Sequence, residues 1–254
     1  TDIRIVSLNG TFTEIIAGLG FKEQIVGVDV TSVYPPSINE KPRLGHISGI
    51  KVESVAALKP DYVFVKKEEL KPDLAEQLNQ LNINVIALEQ EYSVEGTKQL
   101  ISQIAEKLQV SGKNLLEGID EKMKEVEPIE NPPVVLFIYA RGPGNLMVAG
   151  KNTSLQKMID LAAGQNVDLD FEDFKPLTPE AMVTANPDAI LMFSSGKESL
   201  EESVGLMAMP GVAQTTAGKN NQFISMDGLL LSGFGPRLGE AAVELNEKLK
   251  AIAE

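Results

Sequence analysis

The sequence predicts an α/β protein: two similar Rossmann-like β-α-β lobes joined by one long backbone helix, with a ligand cleft between the lobes. Three observations lead to this. Glu53-Ser-Val-Ala-Ala-Leu-Lys-Pro60-Asp61-Tyr-Val-Phe-Val65 reappears 127 residues later as Glu180-Ala-Met-Val-Thr-Ala-Asn-Pro187-Asp188-Ala-Ile-Leu-Met192. In both copies proline ends a short helix, and the apolar run after aspartate has the length of a strand covered on both faces. Between the copies, Leu100, Ile101, Ile104, Leu108, Leu115, Leu116, Ile119 and Met123 recur at helical spacing among Lys and Glu, until Pro128, Pro132 and Pro133 close the pattern.

In chain order, Arg4–Leu8 reads as the first strand and Thr11–Leu19 as a helix stopped by Gly20. Thr11-Phe-Thr-Glu14 has capping-box spacing, so Thr11 is expected to accept from a free amide while Glu14 reaches back. The first copy of the repeat supplies a helix and a strand, and Ile83–Leu88 closes the half. Ser93–Glu127 reads as one helix of about 30 residues, spanning about 45 Å at about 1.5 Å per residue, a strut rather than a flexible linker. Gly112 is where it would kink, and the alternative is two ordinary helices within one domain. In the second half, Val134–Tyr139 answers the first strand, and the apolar Leu146–Ala149 after Arg141-Gly-Pro-Gly-Asn145 reads as a β-hairpin. Ser154–Ala163, stopped by Gly164, answers the first helix; the second copy and Gln222–Met226 follow. Each half is a β-α-β-α-β unit, which implies mainly parallel sheets. The lobes are expected at residues 1–92 and 129–254, with the linking helix at 93–128.

Composition narrows the function. With 23 basic and 36 acidic residues the formal charge is −13, a balance that repels nucleic-acid backbones and anionic headgroups. There is no cysteine, which excludes thiol nucleophiles, disulfides and Fe–S clusters, and one histidine, which excludes His-rich metal sites. No apolar run is long enough to span a bilayer. The chain enters a strand with no basic-then-apolar leader, so a signal peptide is expected to have been removed or absent.

Ligands of open α/β folds bind beyond the carboxyl ends of the strands, so the loops Ser7–Gly10, Asp29–Pro36, Arg43–Ile50, Arg141–Lys151 and Gly228–Arg237 hold the candidates. They contain no Ser-His-Asp set, no G-x-S-x-G elbow and no phosphate loop, which disfavours hydrolase and phosphate-cofactor chemistry. His46 lies in Pro42-Arg-Leu-Gly-His46-Ile-Ser-Gly49, between two glycines that allow close approach of a flat partner. Imidazole is the commonest protein ligand of haem iron. Arg237, after Ser232-Gly-Phe-Gly-Pro and at the start of the last helix, is placed to clamp a carboxylate bidentately. Tyr139, Arg141 and Met147 border the second-lobe cleft.

Arg4-Ile-Val-Ser-Leu8, Thr13-Glu14-Ile, Gly18-Leu-Gly20, Leu58-Lys-Pro-Asp61, Tyr139-Ala-Arg-Gly, Met147-Val-Ala-Gly150, Phe174-Lys-Pro-Leu-Thr-Pro-Glu180 and Gly233-Phe-Gly-Pro-Arg237 together resemble the haem-binding periplasmic proteins of bacterial haem ABC importers, the HmuT type. The resemblance covers essentially the whole chain. Leu-Lys-Pro-Asp belongs to the wider helical-backbone (class III) substrate-binding proteins, which include cobalamin and ferric-siderophore binders. It implies a non-enzymatic, monomeric carrier in the periplasm, with anchoring before processing left open, that captures haem and delivers it to an ABC permease. The family's usual axial ligand is a tyrosine after glycine, and Gly45-His46 occupies that place, so His46 becomes the metal ligand. Arg237 would meet a propionate, with Tyr139, Arg141 and Met147 as further haem-binding residues. Acidic lobe tips, with Glu68, Glu69 and Asp73 in one lobe and Glu198, Glu201 and Glu202 in the other, would dock the permease. The rivals are a siderophore or cobalamin carrier of the same fold and, from another class, a tetrapyrrole-processing enzyme. The number of haems, one or two, and the second axial ligand are open.

Overall fold

The computed structural model describes residues 3–142 and 144–254. Pro143, in the loop after Tyr139, lies outside the described residues. The chain forms two compact units, one running through Ile119 and including Gly233–Pro236, the other comprising Asp120–Ser232 and Arg237–Glu254. Sequence reasoning set the divisions at 92 and 128 instead, and did not anticipate the return of the tetrapeptide at 233.

Unit one contains β1 (Ile5–Ser7), α1 (Gly10–Ile16), β2 (Ile25–Val28), α2 (Val52–Ala56), β3 (Tyr62–Lys66), α3 (Pro72–Gln80), β4 (Asn84–Leu88) and α4 (Val94–Lys107), followed by α5 (Lys113–Met123), which runs across the boundary into unit two. Its sheet has the order β2-β1-β3-β4, all parallel. Unit two contains β5 (Val134–Ala140), β6 (Leu146–Ala149), α6 (Ser154–Leu161), β7 (Gln165–Asn166), β8 (Phe174–Pro176), α7 (Pro179–Ala185), β9 (Ala189–Phe193), α8 (Ser194–Ser203), α9 (Thr216–Lys219), β10 (Phe223–Met226), α10 (Gly228–Ser232) and α11 (Leu238–Ala253). Its sheet runs β10-β9-β5-β6-β8, with β7 added to β5. The β10-β9-β5 part is parallel and β5-β6-β8 antiparallel.

The repeated Pro-Asp motif has a physical purpose visible in both lobes. The Asp61 carboxylate accepts from the Arg4 amide at 2.8 Å, and the Asp188 carboxylate accepts from the Val134 amide at 2.8 Å. Each aspartate amide donates back, Asp61 to Arg4 O and Asp188 to Val134 O, both at 2.8 Å. Every parallel pair leaves backbone groups at its start without a ladder partner, and aspartate satisfies one of them from the neighbouring strand. The residues before the prolines, Lys59 and Asn186, both turn left-handed, at φ 47° and 39°. The lobes share β1·β3·β4 and β5·β9·β10 in the same order. They differ beside β1 and β5: β2 returns parallel after α1, whereas the turn after β5 brings β6 back antiparallel.

Three local expectations are corrected. Asn9, not Thr11, caps α1: its Oδ1 accepts from the Thr11 and Phe12 amides at 2.9 and 3.3 Å. Asn is at least as good a cap as Thr, and the Thr11 hydroxyl instead donates to Gly233 O at 2.7 Å. The single helix through 93–128 is two helices, α4 and α5. The Gln109 amide donates to Glu106 O at 3.1 Å and the Val110 amide to Ala105 O at 3.0 Å, while Gln109 adopts φ 56°. That pattern ends a helix outright. Gly112 lies beyond the stop, where an added Cβ would sit 3.3 Å from Ile101 Cγ2, so its role is close return packing rather than a kink. The stop after α6 has the same pattern, with Ala163 at φ 59° and the Gly164 amide donating to Ile159 O at 2.9 Å. Gly164 is needed there for space, since a Cβ would come within 2.7 Å of Leu249 Cδ1.

Each sheet carries its own core. In unit one, Val6, Leu8, Val55, Val63, Val65, Leu74 and Leu78 form a cluster that includes Ile50. In unit two, Leu136, Ile138, Val148, Met182, Ile190, Met192 and Leu200 do the same.

Candidate functional site

The position of His46 follows from β2. Beyond Val28 the chain makes a loop and comes back, and Pro42–Gly45 runs parallel beside the strand end. The Val28 amide donates to Pro42 O at 2.9 Å, the Leu44 amide to Val28 O at 2.8 Å and the Val30 amide to Gly45 O at 3.1 Å. His46 therefore emerges at the carboxyl edge of the first sheet, where ligand sites of parallel sheets lie. Gly45 adopts φ 94°, and a Cβ on either Gly45 or Gly49 would meet nothing within 4 Å, so the space on both sides of His46 is open.

His46 is exposed and precedes a single 3-10 turn, Ile47–Gly49. Its Nδ1 lies 2.7 Å from Ser48 Oγ and accepts the Ser48 amide at 3.2 Å. The turn is closed by the Gly49 amide donating to His46 O at 2.8 Å, and is anchored by Ile50 and Ile47 in the lobe core. Lys71, before the first turn of α3, donates its Nζ to Ser48 O. The neighbouring loop presents Val30 and Val33 to solvent, 44% and 40% exposed, an apolar surface at the strand end bonded to Gly45. Sequence reasoning placed Val30, Val33 and Ser48 within candidate loops without singling them out, and did not reach Lys71. Arg43 directs its guanidinium at the carbonyls of Asp29, Val30 and Ser32 and at Asn39 Oδ1, so it holds the loop together.

The structure brings Tyr139, Arg141 and Met147 together in the second lobe. Tyr139 pairs directly with Met147, which in turn pairs with Pro176, placing all three on one face of the sheet. The Tyr139 ring meets Phe193 edge-on with centroids 5.5 Å apart and Phe174 at 6.4 Å, and Phe193 meets Phe137 at 4.9 Å. The Arg141 guanidinium lies over the Tyr139 ring, 5.7 Å from its centroid. The outcome is an aromatic and apolar platform with an exposed cation at its edge, at the carboxyl end of β5. A cavity of about 470 Å³ opens beside it, lined mainly by apolar residues including Met147, Leu177, Leu200 and Met209.

Arg237 is half-buried at the cap position before α11. Of the acidic residues, Glu68 and Glu69 lie in a short turn directly after β3, with Asp73 in the first turn of α3. Glu198, Glu201 and Glu202 lie on α8 directly after β9, and Glu201 is tied to Lys197 at 2.6 Å. Both groups thus follow equivalent strands of the repeat. Partial burial raises the Glu69 carboxyl above its ordinary value, against the opposing pull of Lys66 and a hydrogen bond with Asn9. None of the helices among the described residues is long and apolar enough to cross a membrane.

Residues 5–229 match the family described as periplasmic binding protein. Among solved structures, the periplasmic heme-binding protein RhuT of Roseiflexus sp. RS-1, in its apo form, shares 34% identity over the whole of both chains with a TM-score of 0.94. Among curated proteins, the uncharacterized ABC transporter substrate-binding lipoprotein YvrC of Bacillus subtilis (strain 168) is 29% identical, covering 97% of this chain and 79% of its own length. A vitamin B12-binding protein of Pectobacterium carotovorum is 22% identical, covering 98% of this chain and 89% of its own length.

Proposed function

We propose, from the premise that the chain belongs to the periplasmic binding protein family and is a non-enzymatic substrate-binding component of ABC transport, that its cargo is haem, captured in the periplasm and handed to a permease. The observation that carries this reading is His46. The chain's one histidine stands at the carboxyl edge of the first sheet with Nδ1 bonded to its own turn, and the described residues give Nε2 no partner. One exposed imidazole offers a single donor, which suits an iron whose equatorial ligands arrive with the cargo. The exposed valines beside it fit the apolar part of a macrocycle.

His46 is accordingly the iron ligand. Tyr139, Arg141 and Met147 are secondary contacts, Arg141 supplying charge and Tyr139 and Met147 apolar surface. Arg237 serves as a propionate clamp. The permease reads the acidic residues after β3 and β9, with Glu68, Asp73, Glu198 and Glu202 better placed than Glu201, which already has a lysine. A corrinoid cargo is the second reading, favoured by the Pectobacterium relative.

The test is an absorption titration of the unliganded protein with ferric haem, run in parallel on His46→Ala and repeated with cyanocobalamin. The expected result is a saturable Soret shift for the parent that His46→Ala loses or alters, with the endpoint counting one haem or two. An unaltered spectrum and affinity in His46→Ala removes the ligand assignment, and saturable cobalamin binding without haem binding replaces the cargo.

A further inference from the structure

We propose that Ser48 is the positioning residue of His46: on loading, its hydroxyl accepts a hydrogen bond from the imidazole Nδ1–H and so sets which ring nitrogen meets the metal and how strongly it donates. The inference rests on the haem reading above. Two groups of Ser48 face Nδ1, the amide at 3.2 Å and the hydroxyl at 2.7 Å. An amide N–H only donates, so in the unliganded protein Nδ1 is the bare nitrogen and the ring proton sits on Nε2. An Nε2 bound to iron carries no proton. Loading therefore exchanges tautomers: the Nε2 proton leaves to solvent, the Fe–Nε2 bond forms, and Nδ1 takes a proton from solvent, leaving the ring neutral throughout.

The new Nδ1–H needs an acceptor. The hydroxyl can turn to accept, whereas the amide cannot, so Ser48 Oγ is the group in reach that serves both states. The turn is held for this exchange at several points, by Ile47 and Ile50 in the core, by the Gly49 amide on His46 O, and by Lys71 on Ser48 O. A hydroxyl is a neutral acceptor and leaves the ring imidazole-like. A carboxylate in its place would give the ring imidazolate character and favour ferric iron.

The variants are Ser48→Ala, Ser48→Asp and Ser48→Thr in the full chain loaded with haem, read by Soret titration and by the midpoint potential of the bound haem. Ser48→Ala is expected to lower affinity roughly 10-fold or more, in the range for losing a ligand's hydrogen-bond partner, and to raise the potential. Ser48→Asp is expected to lower the potential, and Ser48→Thr to keep the parent's values. Potentials of Ala and Asp variants equal to the parent's overturn the proposal while leaving His46 as ligand. An unaltered spectrum in His46→Ala overturns the underlying reading instead. Independently of haem and of any variant, the single histidine lets nitrogen-15 NMR of the unliganded chain report the tautomer. The Nε2–H form is expected, and the Nδ1–H form overturns the proposal.

Discussion

Two glycines flank His46 in open space, and they separate backbone strain from crowding. A Cβ on Gly45 or Gly49 would meet nothing within 4 Å, but only Gly45 has a positive φ, 94°. Gly45→Ala therefore costs conformation alone, about 1–2 kcal/mol for an L-residue held left-handed. The loop has little freedom to relax, because the Leu44 amide is bonded to Val28 O at 2.8 Å, the Val30 amide to Gly45 O at 3.1 Å, and Ile50 is buried. The strain is then carried in both loaded and unloaded protein. At roughly 2–4 °C per kcal/mol for a chain of this size, the melting temperature of Gly45→Ala should fall by roughly 2–8 °C, with affinity for haem, the proposed cargo, within about threefold of the parent. Gly49→Ala should match the parent in both. Thermal unfolding by circular dichroism and the Soret titration read the two quantities. If Gly45→Ala melted together with Gly49→Ala, the backbone argument for the loop that presents His46 would be refuted. An intact melting temperature with weakened haem binding would mean that the loop relaxes and carries His46 with it.

Two further outcomes test other parts of the structure. The duplicated aspartate bonds differ in exposure, Asp188 half-buried and Asp61 exposed, so Asp188→Ala should destabilise by about 1.5–3 kcal/mol as a hydrogen bond to a charged group and Asp61→Ala by less; urea unfolding of both variants checks the order. Glu69 has a carboxyl raised by partial burial, so the folded chain holds its proton to higher pH than the unfolded chain, and stability falls as pH rises through that interval and stays lower above it. Glu69→Gln should therefore be more stable than the parent at neutral pH, with the gain fading below roughly pH 4, the ordinary range of glutamate; a variant less stable at neutral pH would contradict this.

What the sequence made legible was whatever depends on near neighbours or on repetition. The strands at Ile5–Ser7, Val134–Ala140 and after both Pro-Asp pairs, and the hairpin after Tyr139, follow from short apolar runs and turn residues. The cap of α1 was misassigned because Asn9 and Thr11 are both good caps two residues apart, and the choice falls to the distant Gly233 carbonyl that takes the Thr11 hydroxyl. The break between α4 and α5 was obscured because its left-handed residue is Gln109, a residue type that carries no such signal, while the visible glycine three positions on does a different job. Among the candidate residues, His46 in the first unit and the Tyr139, Arg141 and Met147 group in the second could be singled out by residue type. Val30 and Ser48 could not, since they come beside His46 only when Pro42–Gly45 pairs beside β2 and the turn brings Nδ1 back onto its own chain.

Gly233–Pro236 belongs to the first unit although the residues on either side belong to the second. Gly233 O accepts from Thr11 and from Gln90, Phe234 O accepts from Thr97, and the Phe234 ring, 1% exposed, rests edge-on against Tyr92. A ribosome makes the chain from its amino end, and domains ordinarily close in that order. Here the half that is synthesised first is completed by a segment made only after every strand of the second unit, so it stays unfinished until Gly233–Pro236 has emerged. Cut between Ile119 and Asp120, the chain would yield a first piece with a vacant slot where four residues belong.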